Sequence, residues 1–211
     1  MFRSWREIGR TQRWNATDER DQFPDFVCGA LLPEGRWVLD GVGRADSVVI
    51  SAHDWLFVPP DFTALYTRRP EPLADVARES RHGLVALKAW IALRAVGRAA
   101  LEARVREHLR LARRFADWVE ADPDFELMAP TTMAAVCFRA RPAGSSEAEL
   151  DELNGGLVRR ITSTGRVYLT AVQVAGRVGM RIAVGNVLTV ESHLADAWTV
   201  VHDAFDRTLV D

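Results

Sequence analysis

The chain has 211 residues, 48% of them hydrophobic and 27% charged, and a formal net charge of -2. That length and balance suit one globular domain, or one and a half, with a sizeable core. No basic excess points to nucleic acid, and no apolar run reaches the ~18 to 20 residues of a membrane span, so neither partner is expected.

The opening residues, "MFRSWREIGRTQRWNATDER", are polar and aperiodic, with scattered Trp5 and Trp14, and predict a loose or partly helical arm. They lack the apolar core of a signal peptide, which places the protein in the cytoplasm. A frameshift or misplaced start on a degenerating gene would also leave such an arm. From Phe26 to Pro70 short apolar runs are split by Gly and Pro. This segment reads as sheet-like, with strands in "RADSVVIS" and "FTALYTR" and a break at Pro59 and Pro60.

After Pro72 the period changes. Leu84, Leu87, Ile91, Leu101, Val105, Leu109, Ala112, Ala116 and Val119 recur at spacings of three and four, which predicts one buried helical stripe. Gly97 falls where that helix would kink or break, and Pro123 ends it. From Thr131 the elements alternate: strand "TTMAAVCFRARP", helix "EAELDELNGGLVRRITSTG", strand "RVYLTAVQV", turn "AGRVG", strand "MRIAVGN" and helix "TVESHLADAWTVVHDAFDRTLV". Asn186, Thr189 and Ser192 supply a cap for the last helix. Helices packed on a small antiparallel sheet satisfy so many one-faced elements.

Cys28 and Cys137 lie far apart without metal-ligand spacing and read as buried free thiols. Arg104, Arg106, Arg110, Arg113 and Arg114, interleaved with Glu102 and Glu107, read as a solvated helix face. Trp90, Trp118 and Trp198 fall on apolar helix faces and are expected in the core or an interface. His82, His108, His193 and His202 show no shared ligand spacing and are expected at the surface or an interface; no metal site is expected. Lys88 is the single lysine of the chain.

The run "LLPEGRWVLDGVGRADSVVISAHDWLFVPPDFTALYTRR" resembles the segment of pyridoxal-phosphate-dependent group II amino-acid decarboxylases that bears the cofactor lysine, with the aromatic amino-acid and tyrosine decarboxylase branch nearest. The family reads "G-V-x-x-A-D-S", then "P-H-K-W-L", then a strand opening in "D-C"; the matching residues here are Gly41, Val42, Ala45, Asp46, Ser47, His53, Trp55, Leu56 and Asp61. The resemblance continues through "LVALKAWIALRAVGRAAL", "VCFRARP" and "GMRIAVGNVLTVESHLADAW", and covers roughly residues 23–211. It implies an α/β fold: the C-terminal portion of a fold-type I pyridoxal-phosphate transferase. The divisions expected are a divergent arm (1–22), a remnant of the cofactor-binding large domain (23–80), linking helices (81–122) and a small C-terminal α+β domain (123–211).

The same alignment marks four departures. The Schiff-base lysine of "H-K-W" falls at Asp54, which has no amine to condense with the cofactor aldehyde. Lys88 sits where the family also has a helical lysine, so its ordinary role is structural. The aspartate of the family's "V-D-x-A-Y" falls at Phe23, with Phe26 at the tyrosine; Asp21 and Asp25 are out of phase by two residues. The segment "ADVARESRHG" lacks the tyrosine that a mobile loop of the family carries, and the family's N-terminal half has no counterpart here.

Ser51 and His53 match positions that contact the cofactor phosphate, so pyridoxal 5'-phosphate is the cofactor implied; the plainer alternative is that both are strand-end residues in a turn. Asp54 and His53 are chain neighbours that point apart in a strand and do not form a catalytic pair. Arg181 follows a family arginine, with a structural hydrogen-bond donor as its ordinary role. The resemblance implies a homo-oligomer, or a heteromer with a full-length paralogue or an N-terminal half. Two functions follow. One is a truncated, inactive homologue serving as a non-catalytic or regulatory subunit. The other is an active decarboxylase-type lyase or repurposed enzyme assembled with a separate N-terminal half.

Overall fold

The computed structural model of the protein describes residues 29–51, 56–58, 62–69, 84–131 and 133–210. The chain divides between Arg106 and Glu107 into two compact units.

The first unit opens with three 3-10 turns, Gly29–Leu31, Pro33–Leu39 and Val42–Arg44, rather than the sheet expected of this stretch. Pro33 starts the longest of them, and Gly35 lies against the Gly29 carbonyl, where no side chain would fit. Gly41 turns the chain with φ 87° before the antiparallel pair β1 (Ser47–Ser51) and β2 (Thr63–Thr67). Both strands fall inside the runs predicted, in the register Ser47 opposite Thr67 to Ser51 opposite Thr63.

Two helices follow, α1 (Val85–Val96) and α2 (Arg98–Ala121), separated at Gly97 as its position predicts. Gly97 adopts φ 78° and ψ 157°, a backbone state that L side chains avoid. The apolar stripe behaves differently along its length. Leu101, Val105, Ala112, Ala116 and Val119 of α2 are buried, whereas Leu84, Leu87 and Ile91 are exposed. The expectation of one continuous buried stripe is corrected here, and of the two places expected for Trp90, core or interface, its 60% exposure removes the core: periodicity marks an apolar face without saying what covers it.

The second unit is a four-stranded antiparallel sheet in the order β3 (Phe125–Leu127), β4 (Ala135–Ala140), β6 (Arg177–Ala183), β5 (Thr170–Val174). Helix α3 (Glu147–Ser163) connects β4 to β5, and α4 (Glu191–Val210) ends the chain. Paired strand residues share a face, so the registers put Phe125, Phe138, Met180 and Ile182 on one side. On that side Phe125 and Phe138 meet Trp198 edge-on, with ring centroids 4.9 and 6.0 Å away, and Phe115 of α2 closes the cluster at 5.4 Å from Phe138. These are the offset and edge geometries that aromatic quadrupoles favour.

Helix α3 begins with a capping box: Ser146 accepts from the Glu149 N–H, and the Glu149 carboxylate accepts from the Ser146 N–H at 2.7 Å. At α4 the cap differs from the one expected. Asn186 Oδ1 accepts from the Leu188 N–H at 2.8 Å, and the His193 ring accepts from the Val190 N–H at 3.5 Å.

Candidate functional site

The motif residues before β1 serve the base of the hairpin. The Asp46 carbonyl accepts from the Arg68 N–H at 2.9 Å, and the Arg68 guanidinium donates to the carbonyls of Ala45, at 2.9 Å, and Gly43. One arginine thus holds the turn of "GVGRADS" against the end of β2. The backbone of Ser51 closes β1 opposite Thr63. The chain beyond it is fixed again at Leu56–Val58, where Val58 packs with Ala89 of α1, flanked by Leu56, Phe62 and Ala92. Phe57, between Leu56 and Val58, adopts φ 54°, an uncommon state for a bulky residue.

The described residues on either side of positions 52–55 are held, Ser51 by the ladder and Val58 by α1. His53 and Asp54 themselves lie outside the described residues, as do Phe23, Phe26, Cys28 and His82. Lys88 is exposed on α1, one position before the buried Ala89.

In the second unit the sheet face opposite the aromatic cluster is polar. Arg139, 1% exposed, donates to Glu126 at 2.6 Å and to Glu147 at 2.8 Å, and Arg141 donates to Glu126 at 3.0 Å. The Glu126 and Glu147 carboxylates hold the Arg139 guanidinium charged, and Arg139 in turn lowers the Glu147 pKa. Three N–H donors of this buried guanidinium are taken by the two carboxylates, which is the arrangement of a structural ion pair.

Arg181 lies on the same face, paired across strands with Cys137 and Thr170, and its Nε is buried without a hydrogen-bond partner among the described residues. Cys137 is a half-buried free thiol; burial pushes its pKa up and the Arg181 charge partly opposes this. It has none of the features of an activated nucleophile.

Of the histidines, His108 is fully buried, against the surface or interface position expected of it, with Nε2 3.1 Å from the Asn186 carbonyl. His202 lies 3.1 Å from Asp122 and edge-on to Trp198. Among the described residues no three His, Cys, Asp or Glu side chains could hold a metal ion, and no helix is long and apolar enough to cross a membrane.

The arginines of α2 are engaged as a solvated ion-pair face: Arg106 with Glu34 at 2.8 Å, and Arg110 and Arg114 with Glu191 at 2.9 and 3.2 Å. An open cleft of about 410 Å³ runs between Trp118, Ala121, Asp122, Ala195, Trp198 and Thr199. Two of its polar side chains are already engaged: Asp122 accepts from the Asp124 N–H and pairs with His202, and Thr199 donates to the Ala195 carbonyl. The described residues thus supply a braced hairpin, a charged scaffold and a shallow aromatic cleft, without an assembled nucleophile and base.

Comparison with known proteins gives this geometry its context. Residues 76–141 match the pyridoxal-dependent decarboxylase conserved domain. A tryptophan decarboxylase of Camptotheca acuminata is 33% identical over 204 residues, which is 85% of this chain and 41% of the relative. Tyrosine/DOPA decarboxylase 1 of Papaver somniferum is 32% identical over 213 residues, again 85% and 41%. A crystal structure of Oryza sativa TDC with PLP superposes with a TM-score of 0.76 at 34% identity, covering 86% of this chain and 40% of that one. The Catharanthus roseus tryptophan decarboxylase in complex with L-tryptophan gives 0.75 at 33% identity, 85% and 41%.

This chain therefore spans about 40% of the length of the relatives it matches. By sequence and by fold, the chain is similar to the C-terminal part of pyridoxal-phosphate-dependent group II amino-acid decarboxylases.

Proposed function

We propose that this chain is a non-catalytic member of the decarboxylase family that works in the cytoplasm as a subunit or regulator of a decarboxylase-type assembly. The observation that carries the reading is its lysine inventory. Lys88 is the single lysine in the sequence, and the position that resembles the family's Schiff-base lysine is Asp54. A carboxylate cannot condense with an aldehyde, whatever its surroundings.

The residues of this chain do not fit a covalently held pyridoxal phosphate. Lys88 stands on an exposed face of α1, outside the desolvated pocket that makes a lysine amine a nucleophile. No other amine side chain exists to replace it. Ser51 and His53 could at most offer a hydroxyl and an imidazole to a phosphate group, which would give reversible binding without the chemistry. Cys137, a free thiol, suits a reducing compartment.

The test is a pyridoxal phosphate titration of the purified chain, followed by visible absorbance, borohydride reduction and peptide mass mapping. The expected result is no stoichiometric reduced adduct on any residue, and no release of carbon dioxide from L-tryptophan, L-tyrosine or L-DOPA. A stoichiometric adduct on Lys88 would overturn the reading in favour of an active, rearranged enzyme.

A further inference from the structure

Helix α2 ends in an unbalanced charge. After Arg114 it carries Asp117 and Glu120, Asp122 and Asp124 follow, and no arginine or lysine occurs before Arg139. The carbonyl end of a helix is itself electronegative, and a basic side chain in the last turn is its usual complement. Helix α2 has none there. The neighbour of Asp122 on α4, His202, lies 3.1 Å away and offsets that carboxylate only when protonated.

The cleft of about 410 Å³ opens on this end of α2. One wall is Trp118, Ala121 and Asp122, and the other is Ala195, Trp198 and Thr199 of α4. An alanine on each wall leaves the slot open beside two half-buried indoles, at a volume within the range of small-molecule pockets. Ion pairs brace the two walls. One helical turn before the slot Arg110 and Arg114 hold Glu191, and one turn after Trp198 the His202 ring meets Asp122.

Indole faces attract cations, and the contact is already made once here: the Arg114 guanidinium lies over the Trp118 ring at 5.4 Å. A carboxylate, the carbonyls of a helix end and π faces all favour positive charge, and the first two accept N–H donors as well. We propose that this cleft binds a primary ammonium ion carried on a small apolar body. The site lies within the second unit and stands whether or not the chain is catalytic.

The test uses the full 211-residue chain with benzylammonium as the probe and benzyl alcohol as its neutral counterpart. Binding is followed on the NMR indole N–H signals of Trp118 and Trp198, each identified by its loss in Trp118→Phe or Trp198→Phe. The expected result is a saturable shift of both signals with a Kd of about 1 mM or tighter, and binding of benzyl alcohol weaker by about tenfold or more. Ala195→Leu fills the slot and should abolish the shift. Asp122→Asn keeps an acceptor for the Asp124 N–H but removes the charge, and should weaken benzylammonium by about fivefold or more. Ala195 is exposed and in no ion pair, so its variant should keep the wild-type thermal transition, which separates a filled site from a lost fold. No shift at about 20 mM benzylammonium would overturn the proposal. So would equal binding of benzyl alcohol, because the cleft would then be an apolar slot indifferent to charge. Binding undiminished in Ala195→Leu would put the ammonium elsewhere and overturn it too.

Discussion

Asn154 shows how one buried polar side chain can extend a sheet. The β4–β6 ladder ends with Phe138 opposite Met180, which leaves the next outward-facing backbone groups, those of Ala140, without a strand to meet. Asn154 of α3, wholly buried, takes that place. Its Oδ1 accepts from the Ala140 N–H at 2.8 Å, and its Nδ2 donates to the Ala140 carbonyl at 2.9 Å and to Leu150 at 2.7 Å. Truncation to alanine would strand two buried backbone groups and open a small cavity, at a cost of roughly 2–4 kcal/mol. Asn154→Leu separates the two effects, because it refills the volume but not the hydrogen bonds. Both variants should lower the urea midpoint without changing the slope; a leucine variant as stable as wild type would show that packing alone matters there. Glycine can act at the same scale: a Cβ on Gly179 would overlap Met128 Sδ and meet the Phe138 carbonyl at 2.8 Å, so this strand position has no room for a side chain.

Among the elements, the junction of β3, β4 and α3 is held by charge, and its pH response has a definite sign. Glu147 has a lowered pKa, first because Arg139 hydrogen-bonds its carboxylate; Glu191 has one because Arg110 and Arg114 do the same. A carboxylate whose pKa falls on folding contributes stability that is fully present above its unfolded value, near 4.5 here, and is lost as pH drops through the lower folded value. The melting temperature should therefore be level from pH 8 to about 5.5 and decline below the ordinary glutamate range. Glu147→Gln should melt below wild type at pH 7 and converge with it near pH 3. Parallel curves over the whole range would place the acid sensitivity elsewhere.

The elements also show what the sequence discloses. The break at Gly97 and the described strands longer than three residues are legible, because each rests on local chemistry. Strand β3 is missed: three residues carry too little alternation to register. The five-residue turn read in "AGRVG" contracts to Ala175 and Gly176, both at positive φ, and β6 starts at Arg177 instead of Met180. At the candidate site, the motif residues Gly41, Ala45 and Asp46 are legible as a family signature, but their work at the hairpin base is not. It depends on Arg68, which is far away in sequence. The burial of His108 is likewise a tertiary fact, set by packing that no local pattern encodes.

For the whole molecule, the two units differ in what they can bury, and this fixes where the chain should open first. Among the described residues the second unit has four strands, α3, α4, the larger part of α2 and an aromatic cluster built on Phe115, Phe125, Phe138 and Trp198. The first has a two-stranded hairpin and a 12-residue helix whose outer face is apolar and exposed. An isolated hairpin is marginal in water, and so is a lone helix of that length. Amide hydrogen exchange should therefore report at least ~100-fold higher protection in β4 and β6 than in β1, β2 and α1, a difference of about 2.7 kcal/mol in opening free energy. Uniform protection would mean that the first unit is stabilised as well as the second.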